Sequence, residues 1–387
     1  MRILHVVPSY FPAVRYGGPI VSVHGLCKAL ARQGHDVHVF TTNVDGPIDS
    51  DVPLDAPVDL DGVKVRYFPV PALRRLYWSP RMGNALREDM KTFDIAHTHS
   101  VFLWPTRAAA RAAKRSRVPY VLSPRGMLVM DLVQRRSRWL KKAWISLAER
   151  HNIEDAAIVH LTSKLEAVEL AQFGFKLPGV CVVPNGADLA SDGEGNQMPS
   201  TTITELAAGP RYLLFLGRIN WKKGLDRLIA AMALVPEIRL IIAGNDEENY
   251  QPTLEALAAQ HGVAERIRFA GPAYGEDKRV LLRHATALVV PSYSENFGNV
   301  VLEAMAAGCP VVATREVGAA DIVSESGAGI VLEGSPEALA SGIAALVSDP
   351  QSAGVMGSRG KEAVAGRYTW DAVAKSMENV YKSFCAK

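Results

Sequence analysis

Two carboxylates, Glu295 and Glu303, are the charged residues of the stretch between Ala287 and Ala313. Glu303 is the lone charge in a run of helix formers that begins near Asn299 and stops at Gly308. A helix apolar nearly all round belongs in an interior, and a buried carboxylate needs donors. The paired hydroxyls of a ribose or another sugar would supply them; a structural glutamate on a solvated face is the plainer alternative. Asn296-Phe297-Gly298-Asn299 leads into the N-terminus of the same helix, where free N–H groups suit a phosphate. Upstream, Arg218 and Lys223 bracket a second loop that enters a helix, again an anion-binding arrangement. Together these residues predict a nucleotide or sugar-phosphate site.

Other groups are weaker signals on their own. Gly17 and Gly18 let backbone N–H groups approach a ligand closely, and a plain loop turn reads the same way. His97 and His99 end an apolar run; at i and i+2 both rings point to one side of an extended chain. Either is a candidate proton handler or hydrogen-bond donor, or a satisfied structural residue. No third ligand near them suggests zinc. Arg125, between Pro124 and Gly126 at a strand end, suits a phosphate or carboxylate. Asp49-x-Asp51 and Asp59-x-Asp61 could hold a divalent ion at a strand end, but no apolar strand precedes them, so they read as solvated loop charges.

The elements that would position these residues alternate strand and helix. Ala287–Val290, a polar loop, a helix and Val311–Ala313 form a strand–loop–helix–strand unit of a parallel sheet, whose ligands sit at strand C-termini. Similar units precede it. Strands are expected at 2–7, 36–41, 63–68, 93–96, 120–122, 158–161, 180–183, 212–216, 239–243 and 267–270. Residues 43–62 read as a polar connection and 191–209 as a Gly/Ser/Thr-rich linker. The first strand is followed by Pro8-Ser9-Tyr10-Phe11-Pro12, which lacks a dinucleotide fingerprint. The 387 residues suggest two domains of ordinary size. Four scattered cysteines have no metal spacing and read as small buried hydrophobes of a reducing cytoplasm. No run is long enough for a membrane span or has the form of a signal peptide.

With these residues placed, the chain resembles glycosyltransferase family 4. The spacing of Glu295 and Glu303, followed by Ala304-Met305-Ala306-Ala307-Gly308-Cys309-Pro310, is similar to that family's signature. Gly217-Arg218 with Lys223-Gly224 resembles its diphosphate site. The Gly17-Gly18 loop, Asp94-x-x-His97-x-His99 and Val183-Pro184-Asn185-Gly186-Ala187-Asp188 fit as well. Ser123-Pro124-Arg125-Gly126-Met127 resembles a bacterial polysaccharide-assembly branch. The resemblance spans almost the whole chain. It implies an α/β GT-B fold, two Rossmann-like domains with parallel sheets facing across a cleft. Residues 1–190 would be the acceptor domain, joined by a returning helix over 368–387; 191–209 the linker; 210–367 the nucleotide-sugar domain.

Carried over residue by residue, the resemblance gives the donor Gly17, Gly18, Arg218, Lys223, Glu295, Asn296, Phe297, Gly298, Asn299 and Glu303. Catalysis would fall to His99 or His97 with Glu295, Arg218 and Lys223, and Arg125 would meet an acceptor or phosphate. The implied reaction is retaining transfer from a nucleotide sugar to a glycan or lipid-linked saccharide, with no metal or other cofactor and no nucleic-acid partner. Two fixed cations would stabilise the diphosphate leaving group, and no close carboxylate pair suggests double displacement. A nucleotide-sugar epimerase of the same fold would need further acids in the cleft. A phosphorylase would need pyridoxal phosphate on a lysine. A non-catalytic nucleotide-sugar-binding module would not need the full set of charges.

Charge is uneven. Residues 1–188 carry 25 Lys and Arg against 17 Asp and Glu, whereas the whole chain carries 43 against 40. Arg135, Arg136, Arg138, Trp139, Lys141, Lys142 and Trp144 concentrate this charge beside aromatic rings. The stretch reads as a solvated helix face or as a peripheral contact with the anionic inner face of the plasma membrane. Vesicle co-sedimentation separates the two. Attachment requires binding that rises with anionic lipid and falls with salt; no binding at low salt removes it.

Overall fold

The computed structural model describes residues 1–13, 17–54, 56–129, 149–189, 198–235 and 238–385. The chain divides into two compact units, Met1–Gly186 with Trp370–Lys387, and Ala187–Thr369. The basic tryptophan stretch at 135–144 lies outside the described residues.

Among the described residues, ten strands belong to the first unit: β1 (Arg2–Val6), β2 (Asp36–Thr42), β3 (Val44–Asp45), β4 (Ile48–Asp49), β5 (Pro57–Leu60), β6 (Val63–Phe68), β7 (Ile95–His99), β8 (Tyr120–Ser123), β9 (Ile158–Leu161) and β10 (Val180–Val182). Eight of them form one sheet in the order β10-β9-β8-β7-β1-β2-β6-β5. All pairings in it are parallel except β5 on β6. Parallel strands covered on both faces are expected to be apolar throughout, and Ile3, Leu4 and Val6 of β1 are fully buried. β7 departs from this rule, because His97, Thr98 and His99 are as buried as Ile95 and Ala96.

The second unit holds β11 (Tyr212–Leu216), β12 (Arg239–Ala243), β13 (Ile267–Gly271), β14 (Ala287–Val290), β15 (Val311–Thr314) and β16 (Gly329–Leu332). They form a wholly parallel sheet in the order β13-β12-β11-β14-β15-β16. Alternate side chains serve opposite faces. Leu214, Ile241, Leu288 and Val311 enter one core, and Leu213, Leu240, Val289 and Val312 the other.

Three expectations need correction. Residues 43–62 are not merely a connection, since they hold the β3–β4 pair and β5, an antiparallel edge strand. The linker expected at 191–209 contains the Thr201–Ala208 helix, capped by Ser200, whose Oγ accepts from Ile203 N. Its cap and the buried Ile203 outweigh a Ser/Thr-rich composition. The run read as a strand at 93–96 is shifted, so that both histidines lie within β7.

The Trp370–Cys385 helix packs in the first unit, against the Gly18–Arg32 helix. Trp370 is the wedge. A Cβ on Gly25 would overlap its ring, and one on Gly186 would lie 2.8 Å from it. Gly25→Ala should therefore force the indole from its seat and cost about 1–3 kcal/mol. Thermal denaturation should show a melting temperature several degrees lower; an unchanged one would mean that the helix shifts freely.

Candidate active site

The order in which strands are added to the second sheet reverses between β11 and β14. The chain builds outward from β11 to β13, then returns to place β14 on the other side of β11. Open parallel sheets bind ligands beyond the strand C-termini at such a reversal. Both loops that leave it carry residues singled out by sequence. The β11 loop holds Gly217, the exposed Arg218 and Lys223. The β14 loop runs from Pro291 to Gly298, where the Asn299–Ala306 helix begins. An ion pair between Lys223 and Glu295 joins the two loops. Glu303, on that helix, accepts from Lys278 Nζ at 2.9 Å. The donors that a carboxylate in an apolar helix requires are thus met in part within the protein. Phe297 is 3% exposed, a core anchor for its loop.

Arg227, which the sequence reading passed over, holds this arrangement. Its Nε donates to Pro291 O at 2.6 Å and its Nη2 to Ser292 O at 2.5 Å. Its guanidinium lies 4.1 Å from the Tyr293 ring centre. Gly224 sits at φ 65, and a Cβ there would collide with the Pro291 carbonyl. On the far side, Glu295 N donates to Glu316 O at 3.0 Å, and Glu295 O accepts from Gly318 N at 2.9 Å. The Glu295 loop is therefore fixed from both flanks.

The first unit has its own reversal, between β1 and β7. The β1 loop leads to Gly17, at φ 67, which precedes the Gly18–Arg32 helix with Pro19 in its first turn. β7 brings His97 and His99 together with His5 of β1 and His160 of β9. His5 pairs with His97 in the sheet register. Hydrogen bonds fix the protons of all four rings. His160 Nε2 donates to Val183 O at 2.9 Å, which leaves Nδ1 to accept from His97 Nε2 at 3.3 Å. His97 Nδ1 then accepts from Tyr381 Oη at 2.7 Å. Arg125 Nε donates to His99 Nδ1 at 3.3 Å, so His99 Nε2 donates to His5 Nδ1 at 3.0 Å. The remaining N–H of His5, at Nε2, is buried without a partner.

Burial keeps these imidazoles neutral, with the Arg125 charge as a further cause. Both push His5 and His160 down to about 3, and they hold His99 well below the usual range. His97 is lowered by burial and then by its histidine neighbours. Arg125 is 9% exposed, and its Nη1 donates to Asn185 Oδ1 at 2.9 Å. It is therefore not a loop cation open to a phosphate; it is an interior charge that positions His99. Burial pushes it down to about 10, against the opposing charge of Glu166. Glu166 accepts from Gly126 N at 2.7 Å and Thr162 N at 2.8 Å. Its sequence signal is the Ser163-x-x-Glu166 capping pattern, with the carboxylate turned to the preceding residue. Ser100 at φ 75, Phe102 at φ 64 and Arg125 at φ 55 are strained backbone positions gathered at the ends of β7 and β8.

The third histidine that sequence spacing lacked is His5. Nitrogens of His5, His97 and His99 lie within 4.8 Å of one another, a number of ligands that could hold an ion. The chemistry does not fit one. His5 and His99 already bond each other, both nitrogens of His97 are engaged, and a dication would face the Arg125 guanidinium. One carboxylate of each Asp-x-Asp pair is also held in an ion pair. Asp49 meets Arg74 at 2.5 Å, and Asp61 meets His24 at 2.9 Å and Lys28 at 3.3 Å.

Residues 201–363 match the family Glycosyl transferases group 1, and residues 17–186 match the Glycosyl transferase 4-like domain. The chain belongs to glycosyltransferase family 4. This glycosyltransferase is 29% identical to an uncharacterized glycosyltransferase of Methanocaldococcus jannaschii, over 99% of this chain and 98% of that one. It is 29% identical to a D-inositol 3-phosphate glycosyltransferase of Xylanimonas cellulosilytica, over 94% and 91%. Among solved structures, HepE of Anabaena in complex with UDP and glucose superposes with a TM-score of 0.76 at 21% identity, over 99% of this chain and 100% of that one. The fold is α/β GT-B. No described helix of the glycosyltransferase is long and apolar enough to cross a membrane.

The histidine cluster predicts an acid limit for the glycosyltransferase. Its folded pKa values lie below the unfolded value of about 6.5, so the unfolded chain binds more protons as pH falls. Stability is complete above pH 6.5 and is lost progressively towards pH 3. The slope should reach about 1.4 kcal/mol per pH unit for each histidine that titrates. Melting temperature measured from pH 7.5 to 4 should fall steeply below 6.5; a flat profile would show that the rings are hydrated.

Proposed function

We propose that this glycosyltransferase moves a hexosyl group from a nucleoside-diphosphate sugar to a glycan or lipid-linked saccharide in surface-polysaccharide assembly. Transfer proceeds with retention and without a metal ion. The observation that carries the reading is the pair of loops joined by Lys223 and Glu295 at the β11/β14 reversal, with Arg218 exposed beside them. HepE, of like fold, is known with UDP and glucose bound, which supports a nucleoside-diphosphate donor here.

In this reading the ion pair is a resting state. A diphosphate takes over Lys223, and Glu295 is released to sugar hydroxyls. Glu303 accepts from the ribose hydroxyls while Lys278 keeps its other side occupied. As the bond from the sugar C1 to the phosphate oxygen breaks, negative charge gathers on the departing diphosphate. Arg218 and Lys223 stabilise that charge where it develops. The acceptor oxygen bonds to C1 on the face the diphosphate leaves, and its proton passes to the departing phosphate oxygen. The neutral imidazoles of the first unit, with both nitrogens of His97, His99 and His160 engaged by protein groups, position the end of β7 and move no proton.

Each fixed cation should contribute on the order of 3 kcal/mol in the transition state. Arg218→Ala or Lys223→Ala should then lower kcat by roughly a hundredfold or more, with circular dichroism unchanged, and wild-type turnover should survive EDTA. Turnover lost in EDTA and restored by magnesium, with Arg218→Ala near normal, would assign the leaving-group charge to a metal instead.

A further inference from the structure

The first unit carries a cavity that the transfer reaction does not use. It has a volume of about 330 Å³ and lies between the Trp104–Ser116 and Arg150–Glu154 helices, which pack together. Tyr120, the first residue of β8, also lines it. Its Oη donates to Asn152 O at 2.7 Å and so fixes the second helix against the sheet. The cavity therefore reaches towards the strand starts, away from the strand ends where Gly17 and His99 stand.

One wall is strongly cationic. Arg107, Arg111 and Lys114 stand at i, i+4 and i+7 and so share one face of the Trp104–Ser116 helix. That helix contains no acid. Its dipole favours cations in the last turn, which accounts for Lys114 and Arg115. It does not account for Arg107 and Arg111, which lie in the turns before. Like charges at i and i+4 repel one another on a helix. Partial desolvation lowers the Arg111 guanidinium from its ordinary pKa, and the charges of Arg107 and Arg115 lower it further. The facing wall adds His151 and Asp155. Asp155, the carboxylate of the lining, is taken by Lys114 at 2.6 Å, and no described acid pairs with Arg111.

We infer that this cavity is a binding site for a phosphate group, separate from the diphosphate site proposed for the second unit. Guanidiniums one helical turn apart offer forked donors that match the oxygens of a phosphate. The cavity has room for that group with a small organic ester attached. The bound anion supplies the negative charge that the helix lacks. Two sources carry this chemistry, a free phosphate ester and the headgroup of an anionic phospholipid. The second would draw on the Arg135–Trp144 stretch, which ends six residues before Arg150 in the sequence. On a lipid, the group anchors the first unit; free, it makes the cavity an effector site.

Full-length wild type, Arg111→Ala and Arg115→Ala are titrated with inorganic phosphate by calorimetry. The same proteins are mixed with phosphatidylcholine vesicles that contain or lack phosphatidic acid. Arg115 is exposed on the same helix but does not line the cavity, so its removal takes the same charge from outside the site. Neither variant alters Arg218 or Lys223, so phosphate held there contributes equally to all three proteins. Arg111→Ala should weaken binding of phosphate, or of the phosphatidic-acid vesicles, about tenfold. Arg115→Ala should weaken it about twofold at most, as a screened surface charge does. Loss for inorganic phosphate without any vesicle binding assigns a free ester; loss for the vesicles assigns the headgroup. Wild type that binds neither probe, or Arg111→Ala that loses no more than Arg115→Ala, overturns the site.

Discussion

Parallel pairing gives a sheet a direction, and the rest of this structure depends on that direction. Every strand of the second sheet runs the same way, so every strand C-terminus opens on one edge. The carbonyl ends and the helix N-termini that follow them are brought together without any side chain having to arrange it. At the β11/β14 reversal the helices on either side diverge and leave room for a ligand. The charged residues only have to appear at the right loop positions. Arg227 spends its guanidinium on backbone carbonyls to keep one of those loops in place.

In the first unit a competition between burial and charge decides the chemistry. Arg125 brings a positive charge inside, where an unpaired ion is costly. Glu166 opposes it from within the same interior, and the four histidines cannot add to it and stay neutral. Neutral imidazoles both donate and accept, and a chain of them can satisfy strands that would otherwise be apolar. The polar half of β7 is stable only because its partners arrive from β1, β9 and the Trp370–Cys385 helix.

That dependence explains what was legible in the sequence. Local patterns carried the alternation of strand and helix, the lone Glu303 and the Arg218–Lys223 loop. They did not carry contacts made across the chain. Nothing beside His97 and His99 announces His5, His160 or Tyr381, because strand order and not spacing makes them neighbours. Arg125 reads as a loop cation until Glu166 and Asn185 are seen around it. The edge strand β5 hides in an acidic stretch because an edge needs few apolar residues. Thr201–Ala208 hides for a related reason, a helix written largely in threonine and alanine but held by a serine cap.

The Trp370–Cys385 helix has a consequence for how the chain comes into being. The sheet of the first unit is encoded before the second unit, and the helix that fills its groove at Gly25 and supplies the Tyr381 hydroxyl is encoded after it. On a ribosome, where domains form as they emerge, the unit begun first waits for its closing piece until the other has been made. Until then His97 Nδ1 is an acceptor with no tyrosine to serve it, and the wedge site on the Gly18–Arg32 helix stands open. No single cut divides this enzyme into two finished halves.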